Sequence, residues 1–298
     1  MNHINNITNL EKEMVDLLSL ALKQPFSIQN YRHHPIRSIE ASKSLIGLDL
    51  DKPNKNIIDF LNSIKLDQIP LKEAKIEAKK HETVSIYQLE DAINNSDLIK
   101  ITNILDNILD LSDGKHVLEF LVELSLRQTG KSLQVIWPIY KAMNFIGYSD
   151  RSNIRNSIEM ACKVLIFDDF QDTSKDKSIS VDQISVDDLR TLKQLQIIGI
   201  AYEISSLRFV RQDLILENLS LFLNRFYADL DKSNINQNKV KSERLRDKVD
   251  LLRIIDGFTL SRDVILSLNA IRSIMKYSKK TKNSSIIYHI NKIKEINS

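Results

Sequence analysis

Glycine and proline are scarce in this sequence, because its 298 residues include only six glycines and five prolines. Both residue types interrupt helices, so a chain this poor in them can form long helical segments. Apolar residues recur at helical spacing along most of its length. Folds with many short strands and frequent turns are disfavoured. The sequence predicts an all-α fold, a multi-helix array or bundle of antiparallel helix pairs with no sheet.

Cysteine occurs once, as Cys162 in an apolar segment. A single cysteine cannot form an intrachain disulfide, which favours a cytoplasmic location over secretion. The first 22 residues include Glu11, Glu13 and Asp16 and lack the pattern of a signal peptide. Nowhere do eighteen uncharged apolar residues follow one another, so we expect a soluble protein with no membrane partner.

The sequence also lacks the motifs of the common α/β enzymes. It contains no Gly-x-Ser-x-Gly, no phosphate-binding Gly-rich loop and no zinc-type spacing of cysteine and histidine. Helical di-metal proteins use Glu-x-x-His pairs, and none is present. We therefore expect a non-catalytic protein without a resident cofactor. An enzyme that uses Mg²⁺ or a transition metal is the alternative.

Helical periodicity divides the chain into many helices. Thr8 and Glu11 have the spacing of a capping box, Pro35 suits a first helical turn, and Gly47 follows the end of the same segment. The predicted helices cover residues 10–23, 35–46, 54–64, 71–81, 85–94, 97–110, 114–128, 132–146, 151–170, 188–206, 211–229, 240–256, 260–278 and 284–296. Several are joined by short links, which indicate antiparallel neighbours.

Polar segments and charge predict a division of the chain. We expect an N-terminal helical body at 1–170, a polar linker at 171–187 and a C-terminal helical part at 188–298. Residues 1–238 contain 28 Lys and Arg against 33 Asp and Glu. Residues 239–298 contain 14 against 6, a net charge of +8. The C-terminal end is therefore a basic module.

Helix pairs joined by short turns occur over residues 87–147, although no fixed period of signature residues accompanies them. In architecture, residues 36–170 resemble HEAT-like helical arrays. The resemblance implies a surface for a protein partner. The expected function is a non-catalytic binding scaffold that engages a macromolecule.

Three aspartates form the first candidate site, and they are Asp168, Asp169 and Asp172. If the helix predicted for 151–170 continues, a spacing of four places Asp168 and Asp172 on one face, where carboxylates can hold Mg²⁺. The segment resembles the aspartate-rich motif of all-α prenyl diphosphate and terpene synthases. That resemblance implies Mg²⁺-dependent diphosphate chemistry. The alternative is an acidic helix end in a solvated loop.

A second candidate site lies at the N-terminus of a predicted helix. His33, His34 and Arg37 meet free backbone amides there, and Glu40 follows on the same helix. Such a site can bind an anion. Adjacent histidines can instead ligate a metal or transfer a proton.

His116 and Glu119, one turn apart on another helix, are the additional donors for this second site. Glu123 and Arg127 continue the same spacing of three and four. That pattern is equally typical of a solvated helix face with ion pairs.

The basic module gives the third alternative, which is nucleic-acid binding. Clustered lysines and arginines can neutralise phosphates. Intervening acidic residues, among them Glu243 and Asp247, weaken this charge, so a solvated face is the other interpretation. The candidate contacts are Lys241, Arg244, Lys248, Arg272 and Lys276.

Overall fold

The computed structural model describes residues 2–67, 85–170, 179–228, 248–278 and 283–297. Within these ranges the chain is all-α, as predicted, with thirteen α-helices, three 3-10 helices and no strand. The α-helices are α1 (Asn2–Leu22), α2 (Pro35–Ile46), α3 (Lys55–Ser63), α4 (Ile86–Asn94), α5 (Leu98–Leu111), α6 (Lys115–Leu126), α7 (Leu133–Ile146), α8 (Arg151–Ile166), α9 (Leu192–Ser206), α10 (Gln212–Ala228), α11 (Lys248–Asp256), α12 (Arg262–Tyr277) and α13 (Asn283–Asn297). The 3-10 helices are Ile28–His33, Val181–Gln183 and Val186–Asp188. None of the helices described here is long and apolar enough to cross a membrane.

Capping side chains explain where several helices begin. The side chains of Asn54 and Asp150 each accept hydrogen bonds from two backbone amides in the first turn of the following helix. Ser85 and Thr191 form capping boxes with the glutamine three residues further on. The cap predicted at Thr8 is wrong, because α1 begins at Asn2 and Thr8 lies inside it. The helix predicted for 71–81 lies outside the described residues.

Helix α8 ends at Ile166, four residues earlier than predicted. The side-chain amide of Gln128 donates to the Leu165 carbonyl at 2.8 Å and to the Asp168 carbonyl at 3.2 Å. The Leu165 carbonyl, which would accept the next helical hydrogen bond, is therefore bonded to the Gln128 side chain. Asp168 and Asp169 follow the end of the helix. The prediction that they lie on a helical face is therefore wrong.

Residues Asn9–Arg37 and Lys65–Gln171 form one compact unit, which we call the α6–α7 unit. Helix α6 is enclosed on all sides, because every residue from 117 to 126 is buried. It packs against α7 and α8, and α8 also contacts α4 and α5. The core of this unit therefore surrounds one apolar helix.

Residues Met1–Thr8, Ser38–Ile64 and Asp172–Ser298 form a second compact unit, which we call the α9–α12 unit. Helix α9 is buried at 195–199 and 201–204 and packs along α12. Gly199 permits this close approach, because a Cβ atom there would lie 2.6 Å from the Cα of Ala270. The axes of α9 and α12 approach closely where no side chain separates them.

The predicted linker at 171–187 is described from residue 179 onward. There the two short 3-10 helices bury Val181 and Val186. The Nε2 atom of His289 on α13 lies 2.8 Å from the Val186 carbonyl, and burial lowers the pKa of this histidine. The predicted domain boundaries remain a prediction.

The close approach of α9 and α12 gives a stability test. We expect Gly199→Ala to lower the free energy of unfolding by about 1–3 kcal/mol, because the added methyl group forces the two helices apart. Urea denaturation measures the change. Gly47→Ala is the matched control in the same unit. The nearest neighbour of an added Cβ there would be the Ser44 carbonyl oxygen at 3.5 Å, so the change stays within about 0.5 kcal/mol. Equal stabilities of wild type and Gly199→Ala would contradict the tight packing.

Candidate functional site

The predicted histidine site lies at the N-terminus of α2, where His34 is the residue before Pro35. The Ile36 backbone amide donates to His34 Nδ1 at 3.4 Å, and Nε2 lies 3.4 Å from the Gln24 carbonyl. Nδ1 accepts and therefore carries no proton, so Nε2 is the donor. The imidazole satisfies a free amide at the helix N-terminus, as a capping residue does. His33 is exposed.

Burial is the main cause of an altered pKa at His34. The side chain is only 5% exposed, and loss of solvation lowers its pKa from 6.5 to about 4. The hydrogen bond to the Gln24 carbonyl raises the pKa, and the charge of Arg37 lowers it further. His34 is therefore neutral near pH 7, and this protonation state fits its role as a hydrogen-bonded cap.

Arg37 is also buried. Its guanidinium donates to the Arg32 carbonyl at 2.7 Å through Nη1 and to Gln134 Oε1 at 3.0 Å through Nη2. Gln134 lies on α7 and was not identified from the sequence. Glu40, further along α2, is buried too, and it accepts a hydrogen bond from Ser44 at 2.8 Å and pairs with Lys43 at 3.3 Å.

His116 and Glu119 have different environments, although they are one turn apart on α6. His116 is exposed, whereas Glu119 and Glu123 are buried. The interpretation of these residues as one solvated face is wrong, because α6 is enclosed by other helices.

Two tyrosines lie close to the Glu119 carboxylate. Tyr140 donates to Glu119 Oε1 at 3.4 Å, and Tyr148 donates to Asn144 Oδ1 at 3.3 Å. Burial raises the pKa of Tyr140 to about 12 and also raises that of Tyr148, and the charge of Glu119 adds to both shifts. Both phenols stay protonated at neutral pH. Tyr140 is thus the tyrosine that donates to the buried Glu119 carboxylate, and Tyr148 donates to Asn144.

The buried carboxylate of Asp168 binds the turn between α6 and α7. Oδ2 accepts from the Ser132 amide at 2.8 Å, and Oδ1 accepts from the Asp169 amide at 3.0 Å and from the Thr129 hydroxyl. Both oxygens therefore bond to donors of the protein itself. The Asp169 side chain is exposed, and Asp172 lies outside the described residues.

Within the described ranges, no group of three or more His, Cys, Asp or Glu side chains is arranged to hold a metal ion. The buried thiol of Cys162 has a pKa raised by burial, so it is protonated at neutral pH. Neither observation identifies a reactive group.

Among the predicted nucleic-acid contacts, Arg272 is directed toward the protein interior. Its guanidinium pairs with Glu203 on α9 and donates from Nε to Asn269 at 2.8 Å. Lys276 is exposed, with its ammonium 4.9 Å from the centre of the Tyr277 ring. Lys241 and Arg244 lie outside the described residues. Lys248 is described only as the first residue of α11.

The α4–α5 hairpin, residues 86–111, carries a group that the sequence analysis missed. Three of its carboxylates pair with arginines: Glu90 with Arg127, the residue after α6, and Asp106 and Asp110 with Arg155 and Arg151 of α8. These ion pairs attach the hairpin to the rest of the α6–α7 unit. In addition, Asp97 caps α5 by accepting from the Lys100 amide at 2.9 Å.

Four large apolar side chains of this hairpin are exposed to solvent, and we call them the apolar surface. Their exposed fractions are 77% for Ile99, 74% for Leu111, 64% for Tyr87 and 46% for Leu98. Ile99 lies off the buried stripe of α5, which includes Ile101, Leu105 and Ile108, whereas Leu111 continues that stripe at the last residue of the helix. The departure of Ile99 from helical periodicity is the signal in the sequence that could have identified it.

No protein-family model, curated protein or solved structure matches this chain.

The buried cap at His34 predicts a pH dependence. The folded-state pKa of about 4 lies below the ordinary 6.5, so the unfolded chain binds more protons between these values. Stability therefore falls as the pH decreases from about 6.5 to about 4, by up to about 3 kcal/mol. Urea denaturation at several pH values across this range measures the loss of stability. His34→Asn removes this part of the slope, whereas His33→Asn at the exposed neighbour retains it. An identical slope in all three proteins would contradict the assignment.

The hydrogen bonds of Asp168 predict different effects for two adjacent aspartates. Asp168→Asn replaces one hydrogen-bond-accepting oxygen by an NH₂ group, which can only donate and faces another donor. We therefore expect a loss of about 2–3 kcal/mol in unfolding free energy. Asp169→Asn at the exposed neighbour changes stability by less than about 0.5 kcal/mol. A Tm that rises with Mg²⁺ in the wild type, and in neither variant, would instead support the predicted metal site.

Proposed function

We propose that the chain is a non-catalytic, all-α binding scaffold and that the apolar surface of its α4–α5 hairpin engages a protein partner. One observation carries the proposal. On this hairpin, three carboxylates are paired within the α6–α7 unit, while Ile99, Leu111 and Tyr87 are more than half exposed.

The energetics of exposure favour a binding role for these residues. Single apolar side chains are common on protein surfaces, and contiguous apolar patches mark interaction sites. Covering an exposed isoleucine or leucine contributes about 1.5–3 kcal/mol if its burial is complete. Aromatic residues such as Tyr87 are enriched among the anchors of protein interfaces.

The attachment of the hairpin supports the same proposal. Ion pairs join α4 to Arg127 at the end of α6 and join α5 to α8, so the apolar side chains are presented by helices that are bonded to their neighbours. A surface held in this way loses little conformational entropy when it binds. Two other predicted site residues, the buried Asp168 and the half-buried Arg272, bond to groups of the protein itself.

Site-specific photo-crosslinking tests the proposal. A photoreactive amino acid at Ile99 of the full chain, in cells that produce it, is expected to capture a defined protein. Placement at Leu216 on α10, which is also an exposed apolar position, should not capture it. The captured protein is then purified, and its affinity for the full chain is measured by calorimetry.

We expect Ile99→Ser and Leu111→Ser each to weaken binding of that protein about tenfold, which corresponds to about 1.4 kcal/mol per contact. Leu216→Ser is the matched control and leaves the affinity unchanged. Because all three positions are exposed, stability should change by less than about 0.5 kcal/mol. Wild-type affinity in both hairpin variants would refute the proposal.

A further inference from the structure

Exposed aspartates accompany the apolar surface of the hairpin. Asp91 lies one turn after Tyr87 on α4, Asp97 immediately precedes Leu98, and Asp113 lies two residues after Leu111. All three carboxylates belong to exposed residues. Each part of the apolar surface therefore has a negative charge within about one helical turn.

The opposite charge is sparse on the same segment. Residues 85–115 contain six Asp and Glu but two basic residues, Lys100 and Lys115. Arginines of the α6–α7 unit pair with Glu90, Asp106 and Asp110. Asp91, Asp97 and Asp113 are not among these pairs. Asp97 and Asp113 each accept a backbone amide through Oδ1, from Lys100 and Lys115 respectively, and retain their formal negative charge.

We infer that the partner segment bound by the apolar surface is basic and amphipathic, with apolar side chains flanked by lysine or arginine. This inference rests on the proposed function. Apolar contacts to Ile99 and Leu111 supply affinity, and the three aspartates select a partner of opposite charge. An acidic segment would bring like charges together at each of the three positions.

The length of the surface sets the size of the segment. Twelve residues separate Ile99 from Leu111 along α5, which corresponds to about 18 Å at 1.5 Å per residue. Ile99 and Leu111 also lie about 120° apart around α5, so a helical segment of about 18 residues, about 27 Å long, contacts both when it crosses α5 obliquely. Its charges would then lie within a Debye length of the aspartates at physiological salt, so the attraction is not fully screened.

Three synthetic peptides test the inference on the full chain by fluorescence anisotropy. They share leucines at the same amphipathic positions over about 18 residues, and their remaining positions are lysine, glutamate or glutamine. We expect the lysine peptide to bind at least about tenfold more tightly than the glutamate peptide, with the glutamine peptide between them. Raising the salt concentration should reduce the advantage of the lysine peptide.

A triple variant, Asp91→Asn, Asp97→Asn and Asp113→Asn, removes the charges and keeps the capping oxygens, because asparagine caps helices as well as aspartate does. We expect it to lose most of the preference for lysine over glutamate. The matched control, Asp59→Asn, Asp213→Asn and Glu217→Gln, removes three exposed charges outside the hairpin. It should retain the preference, which separates a local effect from one of net charge.

The possible results distinguish this inference from the proposed function. Suppose that Ile99→Ser weakens the binding of all three peptides, but that affinity depends neither on peptide charge nor on the triple substitution. The basic partner is then refuted and the proposed function stands. If Ile99→Ser and Leu111→Ser change neither the affinity of any peptide nor that of the crosslinked protein, the basic partner and the proposed function are both refuted. A dimer measured by light scattering that Ile99→Ser dissociates would identify a second copy of this chain as the occupant and would refute the basic partner.

Discussion

The enclosure of entire helices by apolar contacts is the constraint on which this structure depends. Helix α6 is buried from residue 117 to residue 126, and most of α9 is buried as well. A helix with no solvated face must satisfy each polar side chain within the protein. Glu119 is therefore bonded to Tyr140, and Glu203 is bonded to Arg272 and Ser273. Glutamate, tyrosine and arginine are residue types that also occur in functional sites. Here their hydrogen bonds and ion pairs join neighbouring helices.

The apolar surface, which we propose as a binding surface, follows from the same constraint at the periphery. The outer helices α4 and α5 contribute their apolar stripes to the core and their carboxylates to ion pairs with α6 and α8. Apolar residues outside those stripes then have no place in the core. The combination of a fixed hairpin, exposed apolar side chains and adjacent aspartates supports the proposal of a scaffold that selects a basic segment.

The sequence predicted the fold class and most helix limits well, because both depend on local periodicity and on residues such as Pro35 and Asn54 that act within one turn. Burial around a helix is a tertiary property, which explains why Glu119 and Glu123 were placed on a solvated face. Spacing alone could not show the bond from Gln128 to the Leu165 carbonyl at the end of α8, since it joins residues 37 positions apart. Histidine at the start of α2 suggested ligand binding, yet only the contacts of His34 reveal a cap.

The two ion pairs between α5 and α8 also determine the register of these helices. Asp106 pairs with Arg155 and Asp110 pairs with Arg151, one turn apart on antiparallel partners. A shift of one turn in either direction would keep only a single pair, and one of the two shifts would also bring Asp106 opposite Glu159, a like charge. Apolar ridges alone tolerate such shifts more readily, since they repeat with each turn. The charges thus specify how far along the α6–α7 unit each exposed residue of α5 is placed.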